Sequence, residues 1–140
     1  MTGVTASGAG AATSWPRRTL VAVTWLFVAC LVVQFFLVGL DVFGATGESK
    51  IHRDFAYVYG WLAPIMVLLA VAVGGPRRVI RLAVVLLVLY AVQTYLPTIA
   101  EAAPMLAAIH AVNAFAVFWV AVQLARAATG IPAAGGTPDR

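Results

Sequence analysis

Charge is scarce in this 140-residue sequence: nine Lys or Arg and five Asp or Glu make up 10% of the chain, well under half of a soluble domain's share. With 63% hydrophobic residues beside it, that scarcity excludes an ordinary small soluble domain, whose surface-to-volume ratio cannot hide so much apolar area. Soluble enzymes and nucleic-acid readers are excluded with it. Cysteine is nearly absent. Cys30 alone permits no internal disulfide and no CxxC or CxxCH motif, and within an apolar run it reads as a small core residue. Only two histidines occur, so a metal site needing three or four protein ligands lacks donors at suitable spacing. There is no glycine-rich phosphate loop, nucleophile elbow or paired intramembrane carboxylate.

What the sequence does have is four charge-free apolar runs, at 19–40, 55–73, 82–100 and 102–125, with a mean hydropathy of +0.98 over the chain. A helix crossing a bilayer needs about 20 apolar residues. The expected fold is all-α: an integral membrane four-helix bundle with helices at about 17–40, 50–73, 77–96 and 104–128. Together these form one transmembrane domain, 17–128. Gly74-Gly75-Pro76 ends the second helix, Pro97 the third and Gly130 the fourth. The small, polar stretches 1–16 and 129–140 read as flexible tails. Short connections make successive helices antiparallel neighbours.

The basic residues report orientation. Arg17, Arg18, Arg77, Arg78, Arg81, Arg126 and Arg140 belong to one side, and only Lys50 and Arg53 to the other. The positive-inside rule then puts both termini in the cytoplasm of a cell-membrane protein. The first run is too long for a cleaved signal peptide and lacks a small-residue cleavage site; Arg17-Arg18 precedes an anchor rather than a twin-arginine leader. Eight Arg against one Lys, with abundant Ala and Val, fits a GC-rich bacterial genome and hence a bacterial inner membrane.

An internal repeat is the most informative pattern. Val33-Gln34-Phe35-Phe36-Leu37 closes helix one and Val92-Gln93-Thr94-Tyr95-Leu96 closes helix three. His52 follows Gln34 by 18 residues and His110 follows Gln93 by 17. Each histidine comes after an isoleucine and is followed by alanine at the fourth place, an aromatic at the fifth and tryptophan at the ninth. Val, Ala and Leu match easily by chance in apolar helices, but Gln, His and Trp agreeing in order do not. The chain reads as two parallel-repeat hairpins about a pseudo-two-fold axis along the membrane normal, with His52 and His110 at equal depth. Helix boundaries taken alone set His52 about 9 Å nearer the surface, at 1.5 Å per residue; the repeat is the stronger guide.

Polar groups inside a membrane should face the bundle interior and are functional candidates. They are Gln34, His52, Gln93, His110 and Asn113 in one layer, and Gln123 near the opposite end. Two histidines on facing helices can hold a haem b between them. Small residues (Ala56, Gly60, Ala111, Ala114) would let a flat macrocycle approach, and Phe35, Phe36, Phe55, Tyr59 and Phe115 would wall it. Gln34, Gln93 or Asn113 would hydrogen-bond a ligand's other ring nitrogen, and Lys50 and Arg53 lie where propionates would reach the interface. The plainer alternatives stay open. His52, flanked by Lys50, Arg53 and Asp54, reads equally as an interfacial residue, and His, Gln and Asn serve as interhelical polar glue. Glu48 and Glu101 read as solvated loop charges.

At Ile51-His52-Arg53 and Ile109-His110 the sequence resembles one four-helix half of the haem A synthase family, and more widely the four-helix, bis-histidine membrane cytochromes of the b type. Through Val-Gln-Phe-Phe-Leu-x-Gly-Leu (33–40) and the His-Arg start of helix two it also resembles a small, uncharacterised actinobacterial family of four-span proteins. The resemblance covers about 17–128. Haem A synthases carry a glutamate three residues before the first histidine; here Glu48 stands four before His52, Ile109 has no nearby acid, and the second half is missing. Haem A synthesis is therefore not expected. The resemblance implies a haem-holding bundle with His52 and His110 as ligands, an electron carrier rather than an enzyme, working with a redox partner. The alternative is a cofactor-free accessory subunit of a larger membrane complex.

Overall fold

A computed structural model describes residues 9–44 and 50–131. Among these the chain is all helix: α1 (Ala9–Val42), α2 (Lys50–Gly60), α3 (Leu62–Ala72), α4 (Arg77–Tyr95) followed by a 3-10 turn (Leu96–Ile99), α5 (Pro104–Ala107) and α6 (Ile109–Thr129). They make four stretches long and apolar enough to cross a membrane: Trp15–Val42, Lys50–Ala72, Arg77–Ile99 and Pro104–Thr129, called spans 1 to 4 below. Each span packs against two others, closing a ring in the order 1, 2, 3, 4.

The core follows from one buried stripe per span at helical spacing. Span 1 buries Leu20, Thr24, Phe27, Leu31 and Gln34; span 3 carries Val79, Ala83, Leu86, Tyr90 and Gln93 in the same register, with Gln93 half-buried. Those two sets are 59 residues apart throughout. Tyr59, Ala63, Met66 and Ala70 of span 2 answer Val117, Ala121, Leu124 and Ala128 of span 4, all buried and all 58 apart. The same two offsets relate Gln34 to Gln93 and His52 to His110. The hairpin repeat is therefore a repeat of packing, and the site residues belong to it.

Three expectations about element boundaries are corrected. Helix one does not begin at 17. Ala9–Val42 is continuous through Pro16, because the Ala-rich residues ahead of the proline favour helix; of the expected tails, 1–16 and 129–140, residues 9–16 are therefore helical, and 1–8 and 132–140 lie outside the described residues. Helix two is not one rod but breaks at Trp61. Pro64 lacks the N–H that would bond the carbonyl of Gly60, and its ring crowds that carbonyl. Helix four is split at Ala108, where the Ala111 N–H donates to the Ala108 carbonyl at 3.2 Å, one residue short of α-helical reach. That split also removes the apparent 9 Å offset: His52 is the third residue of α2 and His110 the second of α6.

The turn between spans 2 and 3 satisfies its backbone as expected. Gly74, at φ +60°, donates to Val71 and Gly75 donates to Ala70, at 2.9 and 3.1 Å, the paired closure that a left-handed residue after a helix makes possible. At this same end Arg17 and Trp25 of span 1 reach the carbonyl and hydroxyl of Thr129, each at 3.3 Å.

Candidate functional site: two glutamine–histidine pairs facing a cavity

The polar end of each stripe completes the site. In span 1 the stripe ends on Gln34, whose Nε2 donates to His52 Nδ1 at 2.8 Å and to the His52 carbonyl at 2.9 Å. A nitrogen must stand at that corner of the amide, since an oxygen there would oppose the carbonyl. His52 Nδ1 is thus an acceptor, and the neutral ring carries its proton on Nε2. Gln34 Oε1 is buried with no hydrogen-bond partner.

The other half has the same pair in a different hydrogen-bonding state. His110 Nδ1 donates to the Gln93 carbonyl at 2.9 Å, and Gln93 Nε2 donates to His110 Nε2 at 3.1 Å. Asn113, buried, donates to Gln93 Oε1 at 2.7 Å and to the Leu89 carbonyl at 2.9 Å. Asn113 therefore reaches the glutamine and not an imidazole, and it sets which way the Gln93 amide points.

The two imidazoles face one another with ring centroids 6.4 Å apart and planes at 76°. They open on a cavity of about 750 Å³. Leu31, Phe35 and Val38 of span 1 and Ala111, Ala114, Phe115 and Val117 of span 4 line one side; Ala56, Tyr57 and Tyr59 of span 2 and Tyr90 and Thr94 of span 3 line the other. Arg53, Pro97 and Thr98 stand at the histidine end. Of the expected walls, Phe36 is exposed and Phe55 packs on Tyr59 instead, with ring centroids 5.1 Å apart. Lys50 is exposed and does not line the cavity. Glu48 lies outside the described residues, and Glu101 is exposed.

Tyr59 lines the cavity as expected, and Tyr90, which the sequence pattern did not single out, joins it. Tyr90 donates its hydroxyl to the Ala56 carbonyl at 2.6 Å, and Phe27, Tyr59 and Tyr90 meet edge to face at 5.4 to 5.6 Å. Leu31 and Val117 occupy the pseudo-equivalent places. The cavity floor is phenolic on one side and aliphatic on the other, an asymmetry visible in the sequence once the 59- and 58-residue offsets are applied. Among the described residues no three His, Cys, Asp or Glu gather to hold a metal ion, so any metal held here rests on the two histidines.

Comparison with known proteins adds one likeness. Residues 34–101 match the model of a family of unknown function, DUF6220. The match opens on Gln34 and ends short of His110, so it takes in one complete glutamine–histidine pair and the glutamine of the other. No curated protein and no solved structure matches the chain. These comparisons add no haem A synthase and no cytochrome. What stands is a small, all-helical, membrane-type protein, similar over that stretch to a family without an assigned activity.

Proposed function

We propose that this protein is a cytochrome b-like membrane electron carrier that holds one haem b between His52 and His110. The observation that carries the reading is the pair of imidazoles facing each other at 6.4 Å. Two histidines sharing one metal, each nitrogen about 2 Å from it, would have ring centres roughly 6 Å apart. The cavity around them is of ligand size, within the range of roughly 300 to 1,000 Å³, and its walls are mostly apolar. Ala56, Ala111 and Ala114 leave room for a flat ring.

When bound, the haem supplies one-electron redox chemistry. The chain's own residues do the positioning. The Gln93 carbonyl keeps the proton on His110 Nδ1 and so leaves the Nε2 lone pair for a metal, as carbonyl partners of ligating histidines do; the Gln93 amide would have to leave that lone pair for a metal to be held there. On the other side, His52 would hold the group through Nε2 with its proton on Nδ1. A turned Gln34 amide then brings Oε1, now without a partner, to accept it. Arg53 at the histidine end offers a guanidinium to the propionates. If both histidines held the haem, little room would be left for a substrate at the metal, which would favour electron transfer over catalysis. By the positive-inside rule, the arginines gathered at the opposite end favour an orientation with that end and both termini on the cytoplasmic side of the cell membrane.

The test is the visible spectrum of detergent-purified protein expressed with added haem, oxidised and dithionite-reduced. The expected result is a Soret band with sharp reduced α and β bands, abolished in His110→Ala and reduced to a five-coordinate spectrum or abolished in His52→Ala. A colourless, folded protein overturns the reading and leaves a cofactor-free accessory subunit as the function to pursue.

A further inference from the structure

The pseudo-two-fold axis relates two seams between neighbouring spans, and the two are built differently. Between spans 4 and 1, Phe35 stacks on Phe115 at 6.2 Å and meets Phe118 edge-on at 5.9 Å. Phe35 and Phe115 line the cavity and are exposed on its outer side, so they form its wall there. The same offsets carry Phe35 onto Thr94, Phe115 onto Tyr57 and Phe118 onto Gly60, between spans 2 and 3. There is no plug there. Instead a second recess of about 260 Å³ opens, and Tyr57, Tyr90 and Thr94 line both it and the histidine cavity.

The opening has a local cause. Pro64 breaks span 2, and the α2 piece packs on span 1 while only the α3 piece makes extensive contact with span 3. At the bottom of the gap the Tyr90 ring leans on Gly60, where a Cβ would come within 2.6 Å of Tyr90 Cε1, and its hydroxyl ties to Ala56. The lip of the gap faces hydrocarbon: Tyr57 and Trp61 are 53% and 73% exposed on the lipid-facing surface of a membrane-spanning stretch.

We infer that the ligand of the histidine cavity enters sideways from the lipid, through the seam between spans 2 and 3, and keeps an apolar edge in contact with lipid there. A large flat apolar ring concentrates in the bilayer, and this path spares it a crossing through water. The identity of the ligand as haem rests on the function proposed above; the route rests on the seam alone.

The seam can be exchanged between the two halves. Apo-protein in phosphatidylcholine vesicles is mixed with vesicles carrying haemin, and growth of the Soret band is timed. Thr94→Phe, and Thr94→Leu as a smaller plug, should slow loading tenfold or more; Thr94 also lines the cavity, so the rate constant and not the final amplitude is the readout. Phe35→Thr added to Thr94→Phe opens the sister seam and should restore the rate. Wild-type loading rates in both plugged variants overturn the route, whatever the final amplitude. Should the wild type bind no haem, the route is read by a cavity thiol. Ala114→Cys in a Cys30→Ala background is labelled by dodecyl maleimide dissolved in the vesicle lipid. Labelling slowed tenfold by Thr94→Phe upholds the route without haem, and unchanged labelling overturns it.

Discussion

Gln93 holds both nitrogens of His110: its backbone carbonyl accepts from Nδ1 at 2.9 Å, and its side-chain amide donates to Nε2 at 3.1 Å. One residue thereby sets the tautomer, the ring orientation and the occupant of the lone pair facing the cavity. The sister pair does not repeat this. Gln34 spends both amide hydrogens on His52 and leaves its own oxygen buried and unpaired.

That difference predicts unequal costs for similar substitutions. Asn113→Leu strands Gln93 Oε1 in an apolar interior, at about 1 to 3 kcal/mol for an unsatisfied buried group. Gln34→Leu strands His52 Nδ1, which opens on the cavity, but also deletes an oxygen already unpaired, so the two effects offset in part and its net cost is the smaller. Thermal unfolding of the apo-protein in one detergent should rank them in that order; equal losses would refute the hydrogen-bond assignment.

Gly60 is required by Tyr90. Alanine normally favours a helix over glycine by up to about 1 kcal/mol, but at this position its Cβ would lie 2.6 Å from the Tyr90 ring. Gly60→Ala should therefore destabilise the protein by about 1 to 3 kcal/mol, as overpacking does. Tyr90→Leu, which installs the residue found at the pseudo-equivalent Leu31, should relieve the clash. A double-mutant cycle on unfolding checks this: the combined variant must be more stable than the two single losses sum to.

Pro64→Ala should separate stability from access. It restores the missing N–H to span 2 and lets α2 and α3 run as one helix, so the melting temperature should rise. The straightened span closes on span 3, so loading of the cavity from lipid should slow. A variant that melts higher and still loads at the wild-type rate would show that the break at Trp61 does not open the seam.

Orientation has its own test. Fusions of a periplasm-dependent phosphatase after residue 140 should be inactive, and fusions within 41–49 should be active, if the arginine-rich end faces the cytoplasm. The reverse pattern would overturn the charge argument.

The amino-acid sequence by itself determined the four spans and their connections, because bilayer thickness dictates how long an apolar helix must be and glycine and proline mark its ends. It also determined which polar residues would meet, since Gln and His are too rare in hydrocarbon-soluble helices to recur in order without a shared place in a repeated hairpin. Boundaries were less legible where one turn decided them: Ala108 splits span 4 by a single shortened hydrogen bond, and Ala-rich sequence carries α1 past Pro16. Tertiary structure alone decided the rest. Whether a glutamine presents its nitrogen or its oxygen to an imidazole depends on the carbonyls beside it, so the tautomers of His52 and His110 could be assigned only from packing. Whether a seam is plugged depends on three side chains from two spans meeting at one depth. The sequence holds Phe35, Phe115 and Phe118 far apart, and only the folded bundle stacks them on one side while Pro64 leaves Thr94, Tyr57 and Gly60 apart on the other.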